Sequence, residues 1–147
     1  MAWWIVVSRT GKRASLMLPG NVIFHPAGAV SATTEDGYWQ IAFADDADRP
    51  TTYLICQNAF EYDEEDRRAG MDSNYVELND QSQSAYGGVK RVVLWRDRVF
   101  FEFVPDVADM FDLPDGLGLA FRVTDNEYAN LEDLARKIFC DNIQVVE

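Results

Sequence analysis

Two apolar runs, Val89-Lys90-Arg91-Val92-Val93-Leu94-Trp95 and Val99-Phe100-Phe101-Glu102-Phe103-Val104, are separated only by Arg96-Asp97-Arg98. Both are rich in β-branched and aromatic residues, which fit a pleated, packed surface better than a helix. Three charged residues leave room for a tight reversal, so the second run must return antiparallel to the first. A hairpin this apolar is not stable alone in water; it demands further strands, or a helix, against its faces.

The rest of the chain supplies them. Residues 38–44 alternate cleanly, with Tyr38, Gln40, Ala42 and Ala44 on one side and Trp39, Ile41 and Phe43 on the other. That period of two marks a half-buried strand. Asp45-Asp46-Ala47-Asp48-Arg49-Pro50 makes a turn, and Thr51-Thr52-Tyr53-Leu54-Ile55-Cys56-Gln57 returns as the hairpin partner. Trp3-Trp4-Ile5-Val6-Val7 predicts a buried strand. Residues 14–18 predict a weaker one beyond a turn at Thr10-Gly11-Lys12. Pro19-Gly20 and Val22-Ile23-Phe24 lead into His25-Pro26-Ala27-Gly28, which has turn chemistry. Asn74-Tyr75-Val76-Glu77-Leu78-Asn79 alternates as a strand. Asp80-Gln81-Ser82-Gln83-Ser84 reads as a polar loop, Tyr86-Gly87-Gly88 as a corner, and residues 117–123 as a last strong strand.

Two helices are expected. Pro105 can open a short one, with Val107, Met110 and Phe111 on one side. Thr124 and Glu127, three apart, form a capping-box pattern before a longer helix. Its stripe of Tyr128, Leu131, Leu134, Ala135 and Ile138 runs at spacings of three and four, and Phe139 and Cys140 close it. Leu131, Leu134 and Ile138 should pack on sheet residues such as Phe101, Phe103, Leu119 and Phe121. The fold class expected is α+β: a mostly antiparallel sheet with one short helix and a C-terminal amphipathic helix packed on it. Length favours a single domain over residues 1–147.

Charge excludes several functions. Twenty-five acids against 13 bases give a net charge of −12, which repels phosphate and makes nucleic acid or an anionic membrane a poor partner. It favours basic partners instead. Cys56 and Cys140 make no metal-ligand or CxxC spacing, and read as two buried small side chains in a reducing compartment. The opening apolar run is too short for a secretory signal, and its positive residues follow the run rather than precede it. A soluble cytoplasmic protein is the expectation.

No constellation points to catalysis or to a cofactor. His25, the lone histidine, stands beside Pro26 and reads as solvated or structural; no GxSxG elbow accompanies it. Tyr86-Gly87-Gly88 precedes a strand, so it offers phosphate no helix N-terminus. Asp63-Glu64-Glu65-Asp66 gathers oxygen ligands but lacks the spacing and glycine of a calcium loop, so residues 61–70 read as an exposed acidic loop and no metal is expected. Asp106, Asp109 and Asp112 lie at helical spacing opposite the apolar side of the short helix. Charge is also regional. Residues 45–72 hold nine acids against three bases and residues 102–133 nine against one, while Lys90, Arg91, Arg96 and Arg98 gather around the central hairpin. Two acidic zones flanking a β-core suit docking onto a basic surface.

The order of features from 75 to 139 resembles a known family. Tyr75-Val76-Glu77-Leu78-Asn79-Asp80-Gln81 is followed by Tyr86-Gly87-Gly88-Val89, a strand, Arg96-Asp97-Arg98, another strand, an Asp/Ala-rich short helix, Leu113, and a Leu-rich helix ending Lys137-Ile138-Phe139. This is similar to the tenth numbered family of immunity proteins from bacterial polymorphic toxin systems. A weaker echo lies at Tyr53-Leu54-Ile55-Cys56-Gln57-Asn58-Ala59-Phe60. The resemblance implies a small, non-catalytic cytoplasmic protein that binds and silences a cognate toxin domain. A basic toxin would meet the acids Asp63, Glu64, Glu65, Asp66, Asp106, Asp109 and Asp112. Two other functions compete. A metal-assisted hydrolase would need acids converging in a pocket. A small acidic secretion chaperone would open with an amphipathic helix rather than with Trp3-Trp4-Ile5-Val6-Val7.

Overall fold

A computed structural model describes residues 3–7, 13–20 and 22–147, with side chains from residue 18 onward. The turn expected at Thr10-Gly11-Lys12 lies outside the described residues. In chain order the strands begin with β1 (Trp3–Val7), β2 (Arg13–Pro19), β3 (Phe24–Pro26) and β4 (Ala29–Thr34). Strands β5 (Tyr38–Ala44) and β6 (Tyr53–Ala59) lead to helix α1 (Glu64–Arg68). Strands β7 (Tyr75–Leu78), β8 (Asp80–Tyr86), β9 (Val89–Leu94) and β10 (Arg98–Phe103) precede helix α2 (Pro105–Phe111). Strand β11 (Leu117–Ala120), helix α3 (Asp125–Phe139), a 3-10 turn and β12 (Ile143–Val145) complete the chain.

These strands form a two-stranded ribbon, β1-β2, and two five-stranded sheets. The first sheet has the order β12-β9-β10-β11-β3, antiparallel at its centre and parallel at both edges. The second, β4-β5-β6-β7-β8, is an antiparallel meander. The class is α+β, as expected, and the two expected hairpins, β5-β6 and β9-β10, are both present.

Alternation explains where the core sits. Ile41, Phe43, Leu54, Cys56 and Val76 project from one face of the second sheet into the same buried cluster as Val92, Leu94, Val99, Phe101 and Phe103 of the first. Leu131, Leu134 and Ile138 of α3 join that cluster, each removal from water contributing roughly 1.5–3 kcal/mol. Phe101, Phe103 and Phe121 share the cluster with them and Leu119 packs against it, although the elements nearest α3 include β4, β5 and β6. The central hairpin is apolar on both faces because its other face carries a second, smaller core: Val93, Trp95 and Phe100 with Leu18 and Val146. The N-terminus of α3 has the expected capping box, Thr124 accepting from the Glu127 N–H and Glu127 from the Thr124 N–H.

Several expectations need correction. His25 and Pro26 belong to β3 rather than to a turn; an edge strand tolerates proline because one side of its backbone has no ladder partner. The polar loop expected at 80–84 is strand β8, polar because it is the solvated edge of its sheet. The acidic loop at 61–70 contains α1, where Asp63 and Asp66 form a reciprocal capping box and no residue is buried. In α2 the buried side is Val107, Ala108 and Phe111, while Met110 is exposed. The last strong strand stops at Ala120. Cys140 is exposed, and only Cys56 is the buried small side chain expected.

Candidate functional site

The acidic residues singled out above fall on two separate elements. Asp63 caps α1, Glu64 pairs with Arg68 on its surface, Glu65 is exposed, and Asp66 is half-buried. Asp106 and Asp109 lie on the exposed side of α2. Asp112 leaves the helix as its C-cap with φ of 55°, a left-handed conformation that a short acceptor side chain tolerates. The expected stripe is therefore two residues on the helix and one just past it.

The four clustered bases are engaged within the fold. Arg91 and Lys90 both reach Glu102, at 2.7 and 3.7 Å. Arg96 donates to Asp125 and to the Val123 carbonyl, both at 2.9 Å, with its guanidinium 4.9 Å from the Tyr128 ring. Arg98 lies 5.0 Å from Phe24 and 4.9 Å from Trp95. These contacts engage the bases within the fold; α2 carries no base in its last turn, whereas α1 carries Arg67 and Arg68 beside its acids.

Two concavities stand out. The larger, about 450 Å³, opens where β5, β6 and β7 meet the end of α2 and strands β3 and β11. Phe43, Leu54, Leu78, Phe111, Leu117 and Leu119 make it apolar, and exposed His25 and Asp45 also stand on its wall. No Asp, Glu, Ser or Cys side chain hydrogen-bonds to His25 among the described residues. Asp45 is engaged in a turn. The Thr51 hydroxyl, then the Thr52 and Thr51 N–H groups, donate to its carboxylate and lower its pKa from 3.8 to about 2.

The smaller concavity, about 230 Å³, lies on the face of the second sheet that points away from the core. Alternation puts Tyr38 of β5, Gln57 of β6, Tyr75 of β7 and Tyr86 of β8 there, all half-exposed or exposed. The α1 segment adds Tyr62, Asp66 and Met71 as a wall. The Tyr75 and Tyr86 rings pack at 5.2 Å, and the Tyr62 hydroxyl donates to Asn58. Glu77, the next residue on the same face of β7, accepts hydrogen bonds from the Tyr53 and Tyr75 hydroxyls at 2.5 and 2.6 Å. The bond to Glu77 is the main cause pushing the Tyr53 pKa up to about 12. Burial, then Glu77, raises that of Tyr75. Reading acids alone missed this tyrosine cluster; its signal was aromatic residues at the polar positions of alternating strands.

Among the described residues no three His, Cys, Asp or Glu side chains are placed to hold a metal ion, and no helix is long and apolar enough to cross a membrane. Burial raises the pKa of the Cys56 thiol above its ordinary range, so it stays protonated.

Residues 26–129 match the family described as immunity protein 10. The match begins well before the region that carried the resemblance, taking in the whole β4-β5-β6 meander, and it ends within α3, before Leu131. No curated protein and no solved structure matches the chain.

Proposed function

The chain belongs to the immunity protein 10 family, and from that premise we propose that it is a non-catalytic, cytoplasmic bacterial protein that binds a cognate toxin domain and silences it through acidic surface. A protein of this kind works by complementarity rather than by chemistry at a reacting bond. It needs a folded scaffold, a surface of the right charge, and no nucleophile or base. Family membership is the observation that carries the reading. The acids on α1 and on α2, opposite bases engaged within the fold, support a basic partner. A single domain over residues 1–147 suits this role, and the buried cluster shared by both five-stranded sheets supports it.

The test is co-expression with the toxin domain encoded by the neighbouring gene. The expected result is protection of the cells, with a stable complex recovered from the two purified proteins. A toxin that kills equally with and without this chain, and that does not bind it in solution, overturns the reading.

A further inference from the structure

The groove on the open face of the second sheet combines three properties that belong to a contact surface. Exposed apolar area lies there. Of the five large apolar side chains most exposed among the described residues, Met71 and Tyr86 line the groove. Tyrosine dominates it. Tyr38, Tyr62, Tyr75 and Tyr86 are four of the chain's six, and tyrosine offers large area and a polar tip at the cost of fixing two torsions. Its charge has one sign. Asp36 and Asp66 line it, Glu77 stands beside Tyr75, and among the described residues no lysine or arginine lines it.

We propose that this groove receives an arginine side chain of the toxin domain, an inference that rests on the immunity reading above. Its volume of about 230 Å³ falls below the range of about 300–1,000 Å³ typical of small-molecule sites, which favours one long side chain over a cofactor. A guanidinium suits it better than an ammonium. The planar cation stacks on tyrosine faces while its fork of N–H donors reaches carboxylate oxygens. Glu77 is oriented for that role by the two hydroxyls already donating to it, and it pairs with no Lys or Arg among the described residues.

The experiment measures affinity for the neighbouring toxin domain by titration calorimetry, using the full chain, Tyr86→Ala and Glu77→Gln. Tyr86 is exposed, and glutamine can keep both contacts, its Oε1 accepting from one tyrosine hydroxyl and its Nε2 donating to the other, so both variants should melt near wild type. Tyr86→Ala should bind about thirtyfold more weakly, as loss of a central aromatic anchor does. Glu77→Gln should bind about tenfold more weakly with a shallower salt dependence. One surface arginine of the toxin, replaced by Ala, should weaken wild type but not Glu77→Gln further. Wild-type affinity in both variants, beside a wild type that binds, overturns the groove alone. A wild type that binds no toxin overturns the immunity reading and the groove with it. If a variant's melting temperature falls, Tyr86→Phe decides: retained affinity assigns the anchor to the ring.

Discussion

Asp45 shows how one side chain can fasten a turn that its neighbours initiate. Its carboxylate gathers three donors from Thr51 and Thr52, which brings β6 back beside β5. Those bonds favour the charged form, so the folded-state pKa of about 2 lies below the ordinary 3.8. The sign follows: this stabilisation is fully present above pH 3.8 and is lost as pH falls through about 2. Asp45→Asn should therefore melt below wild type at neutral pH, with the gap closing under acid. A gap that stays constant from neutral pH to about 2 would refute the linkage. A second residue is constrained by space. Gly116 has φ of +84°, and a Cβ there would lie 2.4 Å from the Phe101 carbonyl oxygen and 2.7 Å from the Phe100 ring. Gly116→Ala should cost about 1–3 kcal/mol in denaturant unfolding, because neither the backbone nor a fully buried ring can yield cheaply. A midpoint equal to wild type would show that the β10–β11 connection adapts freely.

At the scale of elements, α3 is the clearest case of a sequence pattern becoming structure. Leu134 is 2% exposed within the main core, and Leu134→Ala should cost about 2–5 kcal/mol, read from the urea midpoint. A loss below about half a kcal/mol would mean that the helix does not depend on that seat. The elements that could be read from the sequence share one property: their own residues carry the signal. Ile41 and Phe43 alternate, residues 89–104 are apolar, and Thr124 with Glu127 caps a helix. The elements missed or misread take their identity from elsewhere. Strand β12 is a strand because Ile143, Gln144 and Val145 lie parallel to Val92, Val93 and Leu94, 51 residues earlier in the chain. Strand β8 contains mainly polar residues and is specified by its pairing with β7. Strand β4 has Val30 as its one large apolar residue among alanine, serine and threonine, too little apolar alternation to stand out, and is placed by its pairing with β5. The candidate surface was half legible for the same reason. Its acids form a visible run, whereas Tyr38, Tyr62, Tyr75 and Tyr86 meet only after strands β5 to β8 and the segment before α1 are assembled.

For the whole molecule, net charge sets how a partner is met before any contact forms. A charge of −12 attracts a basic domain from a distance, but salt at physiological strength screens beyond about 8 Å. Diffuse attraction and local contact can therefore be separated. Metal binding is a different matter. Millimolar calcium or magnesium should leave the melting temperature unchanged, whereas a saturable rise would reveal a cation site that binds the folded state alone.

Reversing one acid to lysine changes the net charge from −12 to −10 wherever it is done. Asp109 is exposed on α2, which packs against β8, the strand that ends in Tyr86; Asp48 is exposed in the turn between β5 and β6. Asp109→Lys and Asp48→Lys thus alter the distant field equally and differ only in place. If α2 is part of the docking surface, Asp109→Lys should slow association with the toxin domain and weaken affinity by at least about tenfold, while Asp48→Lys slows association slightly and leaves dissociation unchanged. Both variants should fold like wild type, because neither side chain is buried. Stopped-flow association at several salt concentrations reads the outcome. Equal slowing by both would reduce the acidity of α2 to its share of the overall field. Equal rates for all three proteins, independent of salt, would remove long-range charge steering from the recognition.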